Sequence, residues 1–461
     1  MDTIAAIATG GVVSAVGIVR VSGPEALTAS DNFFNAAGLG ALTDAVSKRL
    51  YYGEFRNNKN DLLDICMCSV FRAPHSYTGE DTVEFYCHGS PVVLSGVLSA
   101  LFSAGVRQAL PGEFTKRAFL NGRMDLTQAE AVIDLIEAET TGAALNAVGQ
   151  LHGAIGVKMD SVYERLIDIT CHFHAIIDYP DEDIDDFKSE SYINILLSVV
   201  DDFKRLLESH DRGKVLRNGI PTTIIGRPNT GKSSLLNALL GYERAIVTDI
   251  AGTTRDTIEE KVVIGNVLLR LIDTAGLRKT DDSIEKLGVE RTLAAISGAG
   301  LVIVVLDGSE PLKSEDYDVL RSIPPDIPKI AVVNKSDLHV VLDCDELNEF
   351  NFKYCMLSAL SGEGLNTLDG EIQRLFPEYG SGTGFDSVKQ GELITNIRQA
   401  EAISRALLNI KSAISSLTAS VTPDAVLTDI EAAMTAIGEI TGKTVREDII
   451  SGIFDRFCVG K

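Results

Sequence analysis

The spacing of apolar and polar positions changes character along the chain. Up to about residue 118, strand-like and helix-like patterns mix: Val16 to Ser22 and Leu62 to Phe71 are β-rich, Thr82 to Cys87 alternates, and Pro91 to Val106 has helical spacing. Pro24 occupies a first-turn position and predicts a helix running toward Ala37. These elements predict a compact α+β domain. From Asp125 the period becomes helical. Thr127-Gln128-Ala129-Glu130 has the form of a capping box, Ala131, Leu135, Ile136 and Ala138 follow at helical intervals to about Ile177, and Tyr192 to Leu207 predicts a further helix. Near Gly219 short apolar runs return, at Thr222 to Ile225, Leu268 to Ile272, Leu301 to Leu306 and Ile330 to Val333, with helical segments between them. That alternation predicts a mostly parallel sheet. From Lys389 to Ile450 only helical patterns remain.

The expected fold class is therefore multidomain: an α+β domain over 1–118, a helical domain in two parts (119–215 and 378–461), and an α/β domain over 216–377 inserted between them. The 461 residues are enough for about three domains. Hydrophobic residues at 45% and charged residues at 23% exclude a disordered or fibrous chain. The start of the chain lacks a basic segment of the signal-peptide type, and no apolar run approaches the ~20 residues of a membrane span. The net charge of −23 opposes broad binding to nucleic acid or anionic lipid, so contact with a polyanion is expected to be local or delegated to a partner. Seven scattered cysteines without a C-x-x-C pair predict reduced thiols in a cytoplasmic protein, with no disulfide frame and no zinc site. Cys66 and Cys68 fall on one face of a strand and are expected in a core, and Cys171, His172 and His174 are expected to serve packing. The acidic run from Asp178 to Glu190 is expected to be a solvated junction between helices.

Gly226-Arg227-Pro228-Asn229-Thr230-Gly231-Lys232-Ser233 follows a predicted strand and precedes the helix Ser234 to Leu240, which is the context a phosphate-binding loop requires. Its glycines let backbone N–H groups close around phosphates, Lys232 brings a positive charge, and Ser233 offers a hydroxyl to Mg²⁺. Asp273-Thr274-Ala275-Gly276 supplies a carboxylate near the metal and an amide near the γ-phosphate. Asn334-Lys335-Ser336-Asp337 and Ser358-Ala359-Leu360 each follow a strand and together specify guanine. The Asp337 carboxylate accepts from N1–H and the 2-amino group, which adenine cannot offer, while Asn334 and Lys335 would frame the ring and the Ala359 amide would meet O6. The position after D-x-x-G, where Ras-like GTPases carry a water-orienting glutamine, is Leu277. Another group must act there. Thr248, Asp249, Ile250, Ala251, Gly252, Thr253 and Thr254 form a polar switch loop in which Thr254 is the natural second Mg²⁺ ligand, and Glu285 is a candidate for ordering water.

Four such motifs alone would indicate an Era-like GTPase. Five further segments narrow the resemblance: Ser76-Tyr77-Thr78-Gly79-Glu80-Asp81 with Glu84, Pro111-Gly112-Glu113-Phe114, Arg117 to Arg123 (RAFLNGR), Asp125 to Ala131 (DLTQAEA), and the terminal Phe457-Cys458-Val459-Gly460-Lys461. With these the chain resembles the tRNA-modification GTPases of the MnmE (TrmE) family nearly from end to end. The resemblance implies an N-terminal folate-binding and dimerisation domain, with Arg20, Glu84, Arg123 and Lys461 contacting 5-formyl-tetrahydrofolate or a related one-carbon carrier. Taken without it, Arg20 and Arg123 would read as surface charges. It implies K⁺ held by Asn229 with oxygens of Thr248, Ile250 and Thr253, activation by pairing of two G domains in a homodimer, and Glu285 as the water-orienting residue. It further implies action with an FAD-dependent partner, MnmG, to place an aminomethyl or carboxymethylaminomethyl group on the wobble uridine of certain tRNAs. The tRNA would be held largely by the partner. Cys458 stays open to two readings, a nucleophile or redox partner beside Lys461, or a packing residue. A regulatory GTPase that binds RNA without modifying it is the alternative in another class, and it would call for a basic RNA-binding appendage that the sequence lacks.

Overall fold

A computed structural model of the chain describes residues 2–10, 12–178, 189–242, 260–272, 296–380, 391–419, 421–444, 447–455 and 457–460. Helices of six residues or more are, in chain order, α1 (Ala26–Asp31), α2 (Pro91–Ser103), α3 (Glu113–Leu120), α4 (Leu126–Ile136), α5 (Thr141–Leu151), α6 (Ala154–Asp178), α7 (Ser189–Asn218), α8 (Lys232–Tyr242), α9 (Ser314–Ser322), α10 (Leu365–Leu375), α11 (Ile397–Thr418), α12 (Pro423–Thr441) and α13 (Glu447–Phe454). The chain divides into two compact units, Met1–Ile133 with Ile155–Ile193 and Leu408–Lys461, and Asp134–Ala154 with Asn194–Leu407. None of the described helices is long and apolar enough to cross a membrane.

The first unit is built on a seven-stranded sheet of order β3-β4-β5-β6-β2-β1-β7, comprising β1 (Ile4–Ile7), β2 (Ser14–Ser22), β3 (Phe34–Ala36), β4 (Leu50–Arg56), β5 (Leu62–Phe71), β6 (Thr82–Gly89) and β7 (Arg107–Gln108). Alternation along β5 and β6 turns Cys66, Cys68, Val70, Val83 and Phe85 into the core, where Leu94, Val97 and Leu101 of α2 meet them. Each side chain of that size contributes roughly 1.5–3 kcal/mol on burial. The helix expected from Pro24 toward Ala37 stops at Asp31, because Phe34–Ala36 pairs with Phe55–Gly53 as an edge strand. Sheet pairing wins there: Phe34 reaches the core and packs 5.6 Å from the Phe85 ring. The register aligns Tyr52, Met67, Tyr86 and Ile18 in one row on the face opposite α2, and Tyr52 and Met67 are 63% and 43% exposed.

The cap of α4 lies two residues earlier than the expected Thr127–Glu130 box. Asp125 Oδ1 accepts from the Gln128 N–H (2.8 Å), and Gln128 Oε1 accepts from the Asp125 N–H (2.9 Å). The reciprocal pair at that spacing leaves Thr127 inside the first turn, its hydroxyl donating to the same carboxylate. Leu126 and Ala129 then pack with Phe454 and Phe457, which fixes the C-terminal segment in this unit.

The second unit contains a six-stranded sheet of order β13-β12-β11-β8-β10-β9, with β8 (Ile220–Ile225), β9 (Glu260–Ile264), β10 (Val267–Leu271), β11 (Leu301–Asp307), β12 (Lys329–Asn334) and β13 (Lys353–Met356). All pairings are parallel except the β9–β10 hairpin. The apolar-run criterion missed β9, although Gly265 and Asn266, at φ of 57° and 61°, form the two-residue positive-φ turn that a hairpin favours. All seven residues of β11 are buried, as a strand covered on both faces requires. The chain leaves α7 to enter this sheet and returns at Gly391 to Thr395 against α5 and α7. There Leu393 O accepts from Asn146 Nδ2 (3.2 Å) and Gln150 Nε2 (2.6 Å), and Thr395 Oγ1 donates to Asp134 (2.9 Å).

Candidate guanine-nucleotide site

Open parallel sheets gather loops at the carboxyl ends of their strands, and four of those loops meet here. The phosphate loop runs from the end of β8 into α8. Gly226 and Gly231 have φ of 148° and 97°, and a Cβ would come within 2.3 Å of Val305 O at the first and 2.1 Å of Asn334 Nδ2 at the second. Only glycine fits either position. Asn229 also adopts a positive φ, 63°, at the loop tip. Thr230 Oγ1 (3.1 Å) and Lys232 Nζ (2.7 Å) both donate to Arg227 O, so the loop folds around its own carbonyl. Burial pushes the Lys232 ammonium below its usual range, and the Arg227 guanidinium adds to the effect. Phosphate oxygens set against it would favour the charged form. Ser233 and Ser234 lie in the first turn of α8.

Arg227 closes the other side of the loop. Its Nη2 lies 2.6 Å from Glu310 and its Nε 3.1 Å from the buried Asp316 at the start of α9. Burial works against the Arg227 charge, but the two carboxylates outweigh it and raise its pKa.

Asn334, at the end of β12 and only 3% exposed, joins three loops. Its Nδ2 donates to Thr230 O of the phosphate loop (2.8 Å), and its Oδ1 accepts from the Ala359 N–H (2.9 Å). The side chain is thus a brace between loops, and the Ala359 amide is engaged by it. Lys335, at φ 65°, pairs with Asp307 at the end of β11 (2.5 Å). Burial would raise the Asp307 pKa, but Lys335 and Ser309 outweigh it and hold the carboxylate below its ordinary value. Asp337 stands exposed beyond them, Ser358 is buried with Oγ accepting from the Ser361 N–H (3.2 Å), and Leu360 is 89% exposed. Sequence reasoning did not find Asp307, Glu310 or Asp316. Their signal was an Asp-Gly step ending the apolar run Leu301 to Leu306. Thr248, Asp249, Ile250, Ala251, Gly252, Thr253, Thr254, Asp273, Thr274, Ala275, Gly276, Leu277 and Glu285 lie outside the described residues, as does Lys461.

In the first unit, the segments that carried the family resemblance converge. Arg20 and Glu84 are cross-strand partners on β2 and β6, with Nε 2.8 Å from Oε1, and Tyr86 OH donates to the other Glu84 oxygen (2.8 Å). The Arg20 guanidinium lies over Tyr77 and Phe114, 5.2 and 5.5 Å from the ring centroids. Beside this pair the buried Arg117 meets Glu80 (3.1 Å), Glu113 (2.9 Å) and Asp2 (2.8 Å), while Ser22 Oγ donates to Glu80 (2.8 Å). Arg107 beside Asp2 holds that carboxyl well below the usual carboxylate range. Asn121 Nδ2 donates to Thr78 O (2.7 Å), bringing the 117–123 segment onto the 76–81 segment, and Arg123 sits exposed next to Gly79. The tail reaches the same unit: Val459 bridges Pro111, the Gly112 N–H donates to Cys458 O (3.3 Å), and Gly460, at φ 103°, packs against Ile7. The Cys458 side chain is exposed.

Two family models match the chain, the GTP-binding protein TrmE N-terminus over residues 3–123 and the MnmE helical domain over 126–458. Among curated proteins, the tRNA modification GTPase MnmE of Alkaliphilus oremlandii is 41% identical over 100% of this chain and 99% of its own length. Those of Symbiobacterium thermophilum and Heliobacterium modesticaldum are 41% and 42% identical with the same coverage. Among solved structures, the FeoB G-domain of Methanococcus jannaschii is 21% identical, covers 33% of this chain and 95% of that chain, and gives a TM-score of 0.24. The phosphate loop at the end of β8, braced to the loops after β12 and β13, defines a P-loop GTPase. The chain belongs to the MnmE family of tRNA modification GTPases.

Asn334→Ala should strand two buried polar groups, Thr230 O and the Ala359 N–H, at roughly 1–3 kcal/mol each. Titration with a fluorescent GDP analogue should show affinity falling at least about tenfold. Unchanged affinity would mean that the brace does not organise the pocket.

Proposed function

We propose that this chain is a K⁺-activated GTP hydrolase that acts as a homodimer with the FAD-dependent MnmG to add an aminomethyl or carboxymethylaminomethyl group to C5 of the wobble uridine in certain tRNAs, in the cytoplasm. The observation that carries the proposal is the presence, on one chain, of a braced guanine-nucleotide site and, in the first unit, a second polar cluster at Arg20 and Glu84 together with a terminal segment docked at Pro111, Gly112 and Ile7. We assign 1–118 to folate binding and dimerisation, 119–215 and 378–461 to the helical domain, and 216–377 to the G domain.

In the G domain, Gly231, Lys232, Ser233 and Ser234 hold the phosphates, Asp337 selects guanine, and Ser233 with Thr254 and Asp273 takes Mg²⁺. The donor set fits a hard cation, being oxygen throughout. Asn229, with Thr248, Ile250 and Thr253, would hold K⁺, which when bound would supply positive charge against the negative charge developing on the transferred phosphoryl group. Glu285 orients the attacking water, a role Leu277 cannot fill. In the N-terminal domain, Arg20, Glu84, Arg123 and Lys461 bind the tetrahydrofolate carrier, and the Tyr77 and Phe114 rings beneath Arg20 hold its guanidinium in place. The half-open row of Tyr52, Met67, Tyr86 and Ile18 lies on the same sheet face as Arg20 and Glu84 and is the kind of apolar surface a homodimer buries. Cys458 is assigned as nucleophile or redox partner near the carrier. A chain at −23 leaves most of the tRNA backbone to MnmG.

Mass analysis of wobble nucleosides in cells lacking this protein should show the modification lost and restored by the wild-type gene. Cys458→Ser should fail to restore it while keeping GTP hydrolysis within about twofold. Unchanged nucleosides in the deletion strain would favour a regulatory GTPase that does no modification chemistry. Hydrolysis in K⁺ should exceed that in Na⁺ at equal ionic strength by at least about tenfold, the scale of one transition-state charge contact. Equal rates would remove the cation and promote Arg255 or Arg278 as internal fingers. Asp337→Asn exchanges one acceptor for a donor and should turn preference from GTP to XTP. Retained GTP preference would sink the assignment of this motif.

A further inference from the structure

Two buried thiols and a carboxylate meet on the core side of the first sheet, on the face opposite Arg20 and Glu84. Cys66 on β5 and Cys87 on β6 are 4% and 2% exposed. The pairing of Met67 with Tyr86 and Cys68 with Phe85 brings Cys66 and Cys87 to neighbouring strand positions. The strands beyond them offer glycines at the same level, Gly53 beside Cys66 and Gly17 beside Cys87. Asp64 lies two residues before Cys66 and so on the same face. Its carboxylate is held by the His88 N–H (2.8 Å) and by His88 Nδ1 (2.7 Å). The ligand atoms of Asp64, Cys66 and Cys87 all lie within 4.8 Å of one another, and no other such group occurs among the described residues.

We propose that Cys66, Cys87 and Asp64 bind a thiophilic divalent cation of the zinc class, with His88 orienting the carboxylate. A tetrahedral zinc ion takes sulfur at about 2.3 Å and carboxylate oxygen at about 2.0–2.2 Å, which sets neighbouring ligand atoms about 3.5–3.8 Å apart. The three atoms here all lie within 4.8 Å of one another, close to that spacing. Buried cysteines alone are explained by packing, since a thiol behaves as a small apolar group. The Asp64 carboxylate beside them meets two His88 groups, which occupy only part of its roughly four lone-pair sites and leave acceptor capacity for a cation. A cation satisfies all three at once. The Asp64–His88 contact is the arrangement in which an imidazole fixes a ligating carboxylate. The His88 side chain is 75% exposed and marks the solvent side, leaving a route of entry and a fourth position for water. On binding, the two thiols lose their protons to solvent and no electrons move. The ion would lock β5 to β6, the strand that presents Glu84 and Tyr86 on its other face.

The test uses the full chain, reduced and freed of metal by a chelator, then held in Mg²⁺ and GDP so that the nucleotide site is filled. Titration with Co²⁺ should give one ion per chain with a thiolate-to-cobalt charge-transfer band in the near ultraviolet, and stoichiometric Zn²⁺ should erase it. Cys66→Ser and Cys87→Ser should each abolish the band, and Asp64→Asn should weaken binding at least about tenfold. Cys68→Ser, on the same strand face but outside the cluster, should keep it. Should a cysteine variant fail to fold, Asp64→Asn, which preserves side-chain shape, decides alone. Absence of the band in the wild type, or full retention in both Cys66→Ser and Cys87→Ser, overturns the proposal.

Discussion

One buried amide side chain ties together the loops of the guanine-nucleotide site. Asn334 spends its donor on the phosphate loop and its acceptor on the loop after β13, so the two loops cannot move apart without stranding a polar group in the core. The close approach this requires explains a residue elsewhere. Gly231 lies where a Cβ would be 2.1 Å from the same amide nitrogen. Around that contact, Arg227 ties the phosphate loop to Glu310 and Asp316, and Lys335 ties the guanine motif to Asp307. The ends of β8, β11, β12 and β13 are thereby cross-linked by side chains, which pre-organises the loops before a ligand contributes anything.

Charge does the same work differently in the first unit. Arg117 is only 4% exposed, and a cation buried to that degree is costly unless paired. Its partners come from Glu80, Glu113 and Asp2, three places far apart in sequence. Removing any one leaves the others with an imperfectly compensated charge. The 76–81 loop, the start of α3 and the first residues of the chain are therefore held in a single arrangement, and Arg20 and Glu84 stand beside it with Tyr77 and Phe114 as a floor. The terminal segment is added by other means. Phe457 is buried against Phe454, Val459 bridges Pro111, and Gly460 closes on Ile7 through a conformation that favours glycine.

The two clusters, one in each unit, treat charge alike. The chain as a whole is strongly acidic, yet each cluster concentrates its cations inward: Arg227 and Lys232 at the phosphate loop, Arg20 and Arg117 in the first unit. Their contacts are local and partly desolvated, where electrostatic interactions are strongest, while the outer surface stays unfavourable to a long polyanion.

Period and local chemistry let the sequence alone determine much of this. The strands at Leu62 to Phe71 and Leu301 to Leu306, the α8 start, the glycine loop and the four nucleotide motifs were all legible because each rests on neighbours within a few residues. The sequence also carried the family, since five short segments in fixed order are specific whatever their spatial arrangement. Where local signals competed with distant partners, tertiary structure decided. The segment after Pro24 left the helix at Asp31 because Phe34 gained a place against Phe85 through pairing with β4. The α4 cap was a competition between two local signals, and it fell on Asp125 because that residue and Gln128, three positions apart, satisfy each other's N–H groups. The brace at Asn334, the ties of Arg117 to Glu80 and Asp2, and the meeting of Cys66 with Cys87 join residues between 21 and more than 100 positions apart. No periodicity encodes such contacts, because they arise only when strand order and register bring separate segments to the same edge or face.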